Sequence, residues 1–255
     1  LHAWATVDPS DTSKPLEARN FVRGEWSLPA SGKTRAFPDP LTGAANAIIV
    51  PDTQLEELQP YRDFLSECPK SGLHNPLKHP ERYVQLGQAM HLAGEALDDP
   101  AIRTFFTKLI QRTMPKSWAQ CEGELRITAT FLKTFAGDAT RFLVARGFSV
   151  PGDHAGQYSA GYRFPFGPVC IISPFNFPLE IPALQLVGAI LAGNRAVLKP
   201  AEKVAPVAEQ FVRLLLACGV SSDYVAVLHA PGVVAEALVA GDDSPVRMTQ
   251  FTGST

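Results

Sequence analysis

Gly167-Pro168-Val169-Cys170-Ile171-Ile172-Ser173-Pro174-Phe175-Asn176-Phe177-Pro178, followed by the apolar run from Leu179, decides the fold. A continuous apolar segment bounded by prolines reads as a strand buried on both faces, as a parallel sheet requires, and the strand is expected to end near Ser173. An asparagine between two aromatics and two prolines follows. Taken alone it is compatible with an ordinary proline-rich turn, or with a loop built to aim the Asn176 amide.

Downstream of this stretch, strand and helix alternate. Val169–Ile172 is the first predicted strand, Leu179–Leu191 a buried helix stopped by Gly193-Asn194, and Ala196–Leu198 the second strand. A helix over about 204–218 ends at Gly219, strand three is Val225–Leu228, a helix covers Val233–Ala240, and strand four is Val246–Phe251. Four strands with crossover helices predict an α/β fold with a doubly wound parallel sheet, which binds ligands beyond the carboxyl ends of its strands. Every distinctive motif falls there: Ser173 to Asn176 after strand one, Lys199 to Glu202 after strand two, Pro231-Gly232 after strand three and Thr252 to Ser254 after strand four. One continuous crevice suited to a nucleotide is the consequence.

Upstream, residues 1 to about 60 are rich in Pro, Asp, Ser and Thr and read as a peripheral meander with two short strands and turns near Arg23–Trp26 and Asp39–Gly43. From about 55 to 145 the period is helical, broken at Pro69–Pro80, around Pro100 and at Pro115. One amphipathic helix carries Arg82, Val84, Leu86, Met90, Leu92, Ala93 and Leu97; a second carries Ile102, Phe105, Phe106, Leu109 and Ile110. A third is predicted over about 117–145, with Glu122 and Glu124 near its start, where carboxylates favour the helix dipole. Residues 146–167 switch to spaced glycines and alternating residues, which predicts a protruding two-stranded arm. A lone hairpin is marginal in water, so a partner surface is expected, exposing Phe148, Tyr158 and Tyr162 to it.

The 255-residue chain, 45% hydrophobic, can bury a sizeable core. A net charge of -2 without a basic cluster argues against nucleic acid or an anionic membrane as partner. The longest apolar run, Leu186 to Ala192, is far short of the roughly 20 residues that cross a bilayer. Four scattered cysteines, Cys68, Cys121, Cys170 and Cys218, show neither metal-ligand spacing nor a disulfide framework. Cys170 and Cys218 read as packing thiols, Cys68 and Cys121 lie in polar contexts, and none is expected to be a nucleophile. The chain opens on Leu1, which leaves open whether a targeting segment has been removed.

The Pro174–Pro178 loop resembles the P-[WF]-N-F-P loop of aldehyde dehydrogenases, and the resemblance continues in order through Leu198-Lys199-Pro200-Ala201-Glu202 and Phe251-Thr252-Gly253-Ser254-Thr255. It implies that Asn176 donates a hydrogen bond to the oxyanion of the tetrahedral intermediate. Lys199 and Glu202 would bind the adenosine ribose hydroxyls, and Ser254 the pyrophosphate near a helix N-terminus. Ile172, Ser173, Pro174, Phe175, Gly232 and Gly253 would line the same cofactor cleft, and Glu124 and Phe177 would face the substrate. Read singly, Lys199 is a solvated end-of-strand lysine and Glu202 a helix-start carboxylate; their joint spacing carries the argument. No G-x-G-x-x-G opens the first helix, and the family lacks it too. A glutamate at the ribose disfavours a 2′-phosphate, so NAD is the implied cofactor.

Cys68–Pro76, Leu109–Arg112, Pro115–Ser117 and Phe175–Pro182 look like the plant-type delta-1-pyrroline-5-carboxylate branch, which oxidises glutamate γ-semialdehyde in mitochondria. The resemblance implies residues 1–145 as meander and helices of the cofactor domain, 146–167 as an oligomerisation hairpin of a homo-oligomer, and 168–255 as an incomplete Rossmann-like sheet. The family's cysteine nucleophile and glutamate base lie C-terminal to F-T-G-S, so this span is expected to be inactive alone. The alternative is a non-catalytic half serving as a structural or docking subunit.

Overall fold

The computed structural model describes residues 2–151 and 155–254. In chain order the elements are β1 (Leu16–Glu17), β2 (Asn20–Val22), β3 (Glu25–Ser27), β4 (Thr34–Phe37), β5 (Ile48–Pro51), α1 (Gln59–Ser66), α2 (Glu81–Asp98), α3 (Pro100–Thr113) and α4 (Trp118–Lys133). Then come β6 (Arg146–Pro151), β7 (Tyr158–Tyr162), β8 (Pro168–Ser173), α5 (Glu180–Leu191), β9 (Arg195–Pro200), α6 (Ala205–Ala217), β10 (Val225–Val227), α7 (Gly232–Ala240) and β11 (Met248–Phe251).

The main sheet has the order β11-β8-β9-β10-β2-β3. β11, β8, β9 and β10 run parallel; β2 and β3 extend the sheet antiparallel, through Val227 opposite Phe21. The parallel core was expected. β3 overlaps the short strand expected near Arg23–Trp26, but the place of β2 and β3 in the main sheet was not expected: residues 1–60 are no mere periphery, because β2 satisfies the edge that β10 would otherwise leave open. Side chains alternate between two cores. Val169, Ile171, Ala196, Leu198, Val225 and Val227 pack with α2 to α6. Cys170, Val197, Ala226 and Leu228 face α1 and α7. The sheet is therefore covered on both sides, which explains why its strands read as unbroken apolar runs.

Helix ends are set by local chemistry. Asp99 accepts from the amides of Ala101 and Ile102 to start α3 at Pro100. Ser117 and Gln120 form a reciprocal capping box that starts α4. α5 ends where Gly193, at φ 95°, lets its amide reach the Ile190 carbonyl and the Asn194 amide reach Ala189.

The single helix predicted over 117–145 is corrected: α4 stops at Lys133. Gly137 adopts φ 58°, and a turn of wider helix over Arg141–Ala145 follows, with Phe142 exposed. β6 and β7 pair antiparallel with an irregularity between Arg146 and Ser149, and Tyr162 is exposed. The stretch joining the two strands of the expected arm, residues 152–154, and the expected exposure of Phe148 and Tyr158 lie outside the described residues and side chains. No helix among the described residues is long and apolar enough to cross a membrane.

The loop over residues 67–80 is locked across the end of α5. A Cβ on Gly193 would lie 2.0 Å from the His74 carbonyl oxygen, so only glycine permits this crossing. The buried His74 ring accepts from the Tyr224 hydroxyl at Nδ1 (2.9 Å) and donates from Nε2 to the Leu191 carbonyl (3.0 Å). Burial, the dominant cause, pushes its pKa down to about 4. His229, fully buried after β10, is pushed down by burial to about 3, and neither ring nitrogen has a hydrogen-bond partner among the described residues. Both rings fold neutral. Stability from each is therefore fully present above the unfolded pKa near 6.5 and is lost as pH falls toward 4 and 3, by about 2 kcal/mol per ring at pH 5. Urea unfolding at pH 8 and pH 5 checks this: His74→Gln should lose less stability between the two pH values than the parent, and an equal loss contradicts the assignment.

Candidate active site

β8 ends at Ser173, whose register partner is Pro200 at the end of β9; Ile172 faces Lys199 on one side and Phe251 on the other. The Thr252 amide continues the pairing to the Ile172 carbonyl (3.0 Å), and the Leu228 amide bonds the Leu198 carbonyl (2.9 Å). Ser173–Asn176, Lys199–Glu202, Pro231-Gly232 and Thr252–Ser254 therefore share one edge of the sheet. That is the carboxyl edge, where a doubly wound sheet binds.

In the loop, Phe175, Asn176 and Phe177 are exposed, and the Asn176 amide makes no hydrogen bond among the described residues. The flanking aromatics are each capped by a lysine. Lys203 Nζ lies 3.7 Å from the Phe175 ring centroid and Lys116 Nζ lies 3.8 Å from that of Phe177. Ser173 Oγ is buried and unpartnered among the described residues.

Glu124 does not serve the dipole of its own helix, as its position suggested, and it does not face an open tunnel. Its side chain is fully buried. Oε1 accepts from the amides of Leu179 (2.8 Å) and Glu180 (3.1 Å), and Oε2 from Lys116 Nζ (2.8 Å). It caps α5, two of whose first amides have no intrahelical acceptor. The neighbouring Glu180 carboxyl is pushed above the usual range, first by burial and then by the like charge of Glu124.

At the other end of the edge, Lys199 is 8% exposed and its ammonium makes no hydrogen bond among the described residues; burial pulls its pKa down and Glu202 opposes that pull. Glu202 opens a short 3-10 turn (Glu202–Val204) and receives Arg35 from β4 at 3.1 Å, while Arg35 Nε also holds Asp52 at 3.0 Å. Gly232 opens α7, and a Cβ there would meet nothing within 4 Å, so packing does not explain this glycine. After β11, Thr252 Oγ1 accepts from Gln185 Nε2 of α5, whereas Gly253 and Ser254 are exposed. No group of three or more His, Cys, Asp or Glu gathers as a metal site among the described residues.

An exposed amide and a nearly buried, unbonded ammonium thus share a sheet edge. The aldehyde dehydrogenase family model matches residues 86–255. The chain belongs to that family. It is 46% identical over 254 residues to a "Probable aldehyde dehydrogenase" of Linum usitatissimum, covering 99% of this chain and 45% of that protein. It is 45% identical, with the same coverage, to "Delta-1-pyrroline-5-carboxylate dehydrogenase 12A1, mitochondrial" of Arabidopsis thaliana. The chain thus spans about half the length of the curated relatives it matches. Among solved structures it resembles an NAD-dependent aldehyde dehydrogenase from Sinorhizobium meliloti (TM-score 0.77, 21% identity, 93% of this chain and 45% of that one). It also resembles an NADP-dependent glyceraldehyde-3-phosphate dehydrogenase from Bacillus halodurans C-125 complexed with NADP (TM-score 0.73, 24% identity, 93% and 48%). These two likenesses show the fold.

Sequence reasoning had quoted Lys116 without assigning it a role, and had missed Arg35, Gln185 and Lys203. The Arg35–Glu202 contact joins residues 167 positions apart, and no local pattern announces it. The polar contexts expected for Cys68 and Cys121 are corrected, since both are buried. Burial raises all four thiols, Cys121 to about 11 and Cys170 to about 12. In this aldehyde dehydrogenase family chain a thiol-reactive probe at pH 7 should leave Cys121 and Cys170 unlabelled until the protein unfolds, because the thiolate is the reacting form. Peptide mass mapping checks this, and stoichiometric labelling of either in the native protein contradicts it.

Proposed function

We propose that residues 1–255 form the cofactor-binding portion of an NAD-dependent aldehyde dehydrogenase that oxidises L-glutamate γ-semialdehyde to glutamate in proline catabolism. What supports the reading most is the exposed, unpaired Asn176 amide on the same sheet edge as the unbonded Lys199 ammonium. The substrate assignment draws on the Arabidopsis relative, whose printed name is that of a delta-1-pyrroline-5-carboxylate dehydrogenase. That name also carries the proposed mitochondrial location.

The residues present fit a dinucleotide. Lys199 has hydrogen-bonding capacity to spare, Ser173 Oγ is an orphan, and Gly232 leaves open space at the start of α7. Lys199 and Glu202 would hold the adenosine ribose hydroxyls, Gly253 and Ser254 the pyrophosphate, and Ile172, Pro174 and Phe175 the cleft wall. NAD, when bound, accepts a hydride. A 2′-phosphate would meet the Glu202 carboxylate, and the Arg35 charge that could offset it is already shared between Glu202 and Asp52. NAD is therefore preferred over NADP.

As a nucleophile adds to the aldehyde carbon, the carbonyl oxygen takes on negative charge, and the Asn176 Nδ2–H donates to it. The Asn176 amide has no hydrogen-bond partner to give up among the described residues, so it is free to donate as charge develops. None of the four cysteines, three buried and Cys218 half-buried, is activated, so the reading places the nucleophile outside residues 1–255. The β6–β7 ribbon, with Tyr162 exposed, would join a second subunit.

Steady-state assays of the whole protein with L-glutamate γ-semialdehyde and either NAD+ or NADP+ test this reading. Asn176→Ala should lower kcat on the order of a hundredfold to a thousandfold with little change in KM, and NAD+ should be the better cofactor. Normal turnover in a folded Asn176→Ala protein contradicts the oxyanion role.

A further inference from the structure

We infer that the buried Lys116–Glu124 pair is a positioning device for the oxyanion donor, setting where Asn176 points and hence the turnover of the whole enzyme. The inference rests on the oxyanion reading of Asn176 and adds two residues that touch neither substrate nor cofactor.

Six residues, Pro174 to Leu179, bridge the last paired residue of β8 to the first residue of α5. The upstream end is fixed by the sheet, since Ser173 pairs with Pro200. At the downstream end the Phe177 and Leu179 carbonyls accept from the Ile181 and Ala183 amides, but no backbone acceptor among the described residues holds the amides of Leu179 and Glu180. Leu179, the residue before α5, offers no side-chain cap, and α5 is strongly apolar and packed from its second turn on.

Glu124 supplies the missing constraint. One carboxylate oxygen takes two consecutive amides, Leu179 and Glu180, so both the rotation and the depth of the helix start are specified. A negative charge at a helix N-terminus is favourable in itself. Here its desolvation is further offset by Lys116, 2.8 Å away with an 11% exposed side chain. The same ammonium stands 3.8 Å from the Phe177 ring centroid. Phe177 follows Asn176 directly, so a single buried ion pair grips the loop at 177 and again at 179–180.

The pair is anchored in its turn. Lys116 immediately precedes the Ser117–Gln120 capping box, and Glu124 lies two turns into α4 on a helix packed against α2, α3 and α5. The clamp is thus part of a rigid layer. A displacement of about 1 Å in a catalytic group can cost on the order of a hundredfold in rate.

Lys116→Met keeps the stem and removes the charge, and Glu124→Gln keeps an acceptor oxygen and removes the charge. Lys116→Arg preserves both the charge and the aromatic contact. In the whole protein, Lys116→Met and Glu124→Gln should each lower kcat for L-glutamate γ-semialdehyde on the order of tenfold to a hundredfold. KM and the NAD+ dissociation constant should move by less than about threefold, and Lys116→Arg should recover most of the turnover. In an Asn176→Ala background the same substitutions should cost less than about threefold more, because the group they aim is gone. If their full cost persists in that background, or if they act on KM or NAD+ affinity instead of kcat, the clamp is overturned while the oxyanion reading stands. If Asn176→Ala itself turns over normally, both fall. Thermal midpoints confirm that the variants are folded, and Glu124→Gln carries the test should Lys116→Met fail to fold.

Discussion

The parallel pairing of β8 with β9 is the constraint on which the rest depends. Six consecutive register pairs, Pro168 with Arg195 through Ser173 with Pro200, lie between two hydrophobic cores. Because side chains alternate between those cores, a slip of one residue would exchange Ile171 and Leu198 with Cys170 and Val197 and misfit both layers. Register therefore places the ends of the two strands side by side, and with them the Asn176 loop and the Lys199–Glu202 turn. Pairing of β11 and β10 onto this core brings Thr252 and Leu228 to the same level.

Charge is used sparingly around this edge, and where it is buried it is paired. Buried Glu124 is neutralised by Lys116 and two helix amides, while the exposed Arg35 is divided between the half-buried Glu202 and Asp52. Removing one member of such a pair strands the other, which typically costs 3 to 5 kcal/mol where burial is complete. Lys199 differs: it is nearly buried and its ammonium makes no hydrogen bond among the described residues. The ammonium therefore has donors to spare at the edge, where Ser173 Oγ is also buried without a partner among the described residues, and ribose hydroxyls would take them up.

The parallel strands were legible because burial on both faces makes them continuous apolar runs punctuated by Pro and Gly, as in Pro168–Ser173 and Arg195–Pro200. The place of β2 and β3 in the sheet was not. They have three residues each, and their place in the sheet is decided by a pairing between Phe21 and Val227 that no local pattern encodes. The overlong helix over 117–145 followed from a helical period that continues past Lys133, where the backbone freedom of Gly137 prevails over periodicity. Residue types at the site were readable from motif order. Their partners were not, because Arg35, Lys116 and Gln185 reach the edge from elements far away in sequence, and only the packed layers bring them together.

The central claim is that the carboxyl edge of this sheet is a dinucleotide cleft with the adenosine ribose at Lys199 and Glu202. A crystal structure of the whole protein with NAD+ bound tests it most directly. The account predicts the adenosine ribose hydroxyls within hydrogen-bonding distance of the Lys199 ammonium and the Glu202 carboxylate, with the nicotinamide end toward the Asn176 loop. A cofactor bound elsewhere, or one whose ribose touches neither side chain, would contradict it.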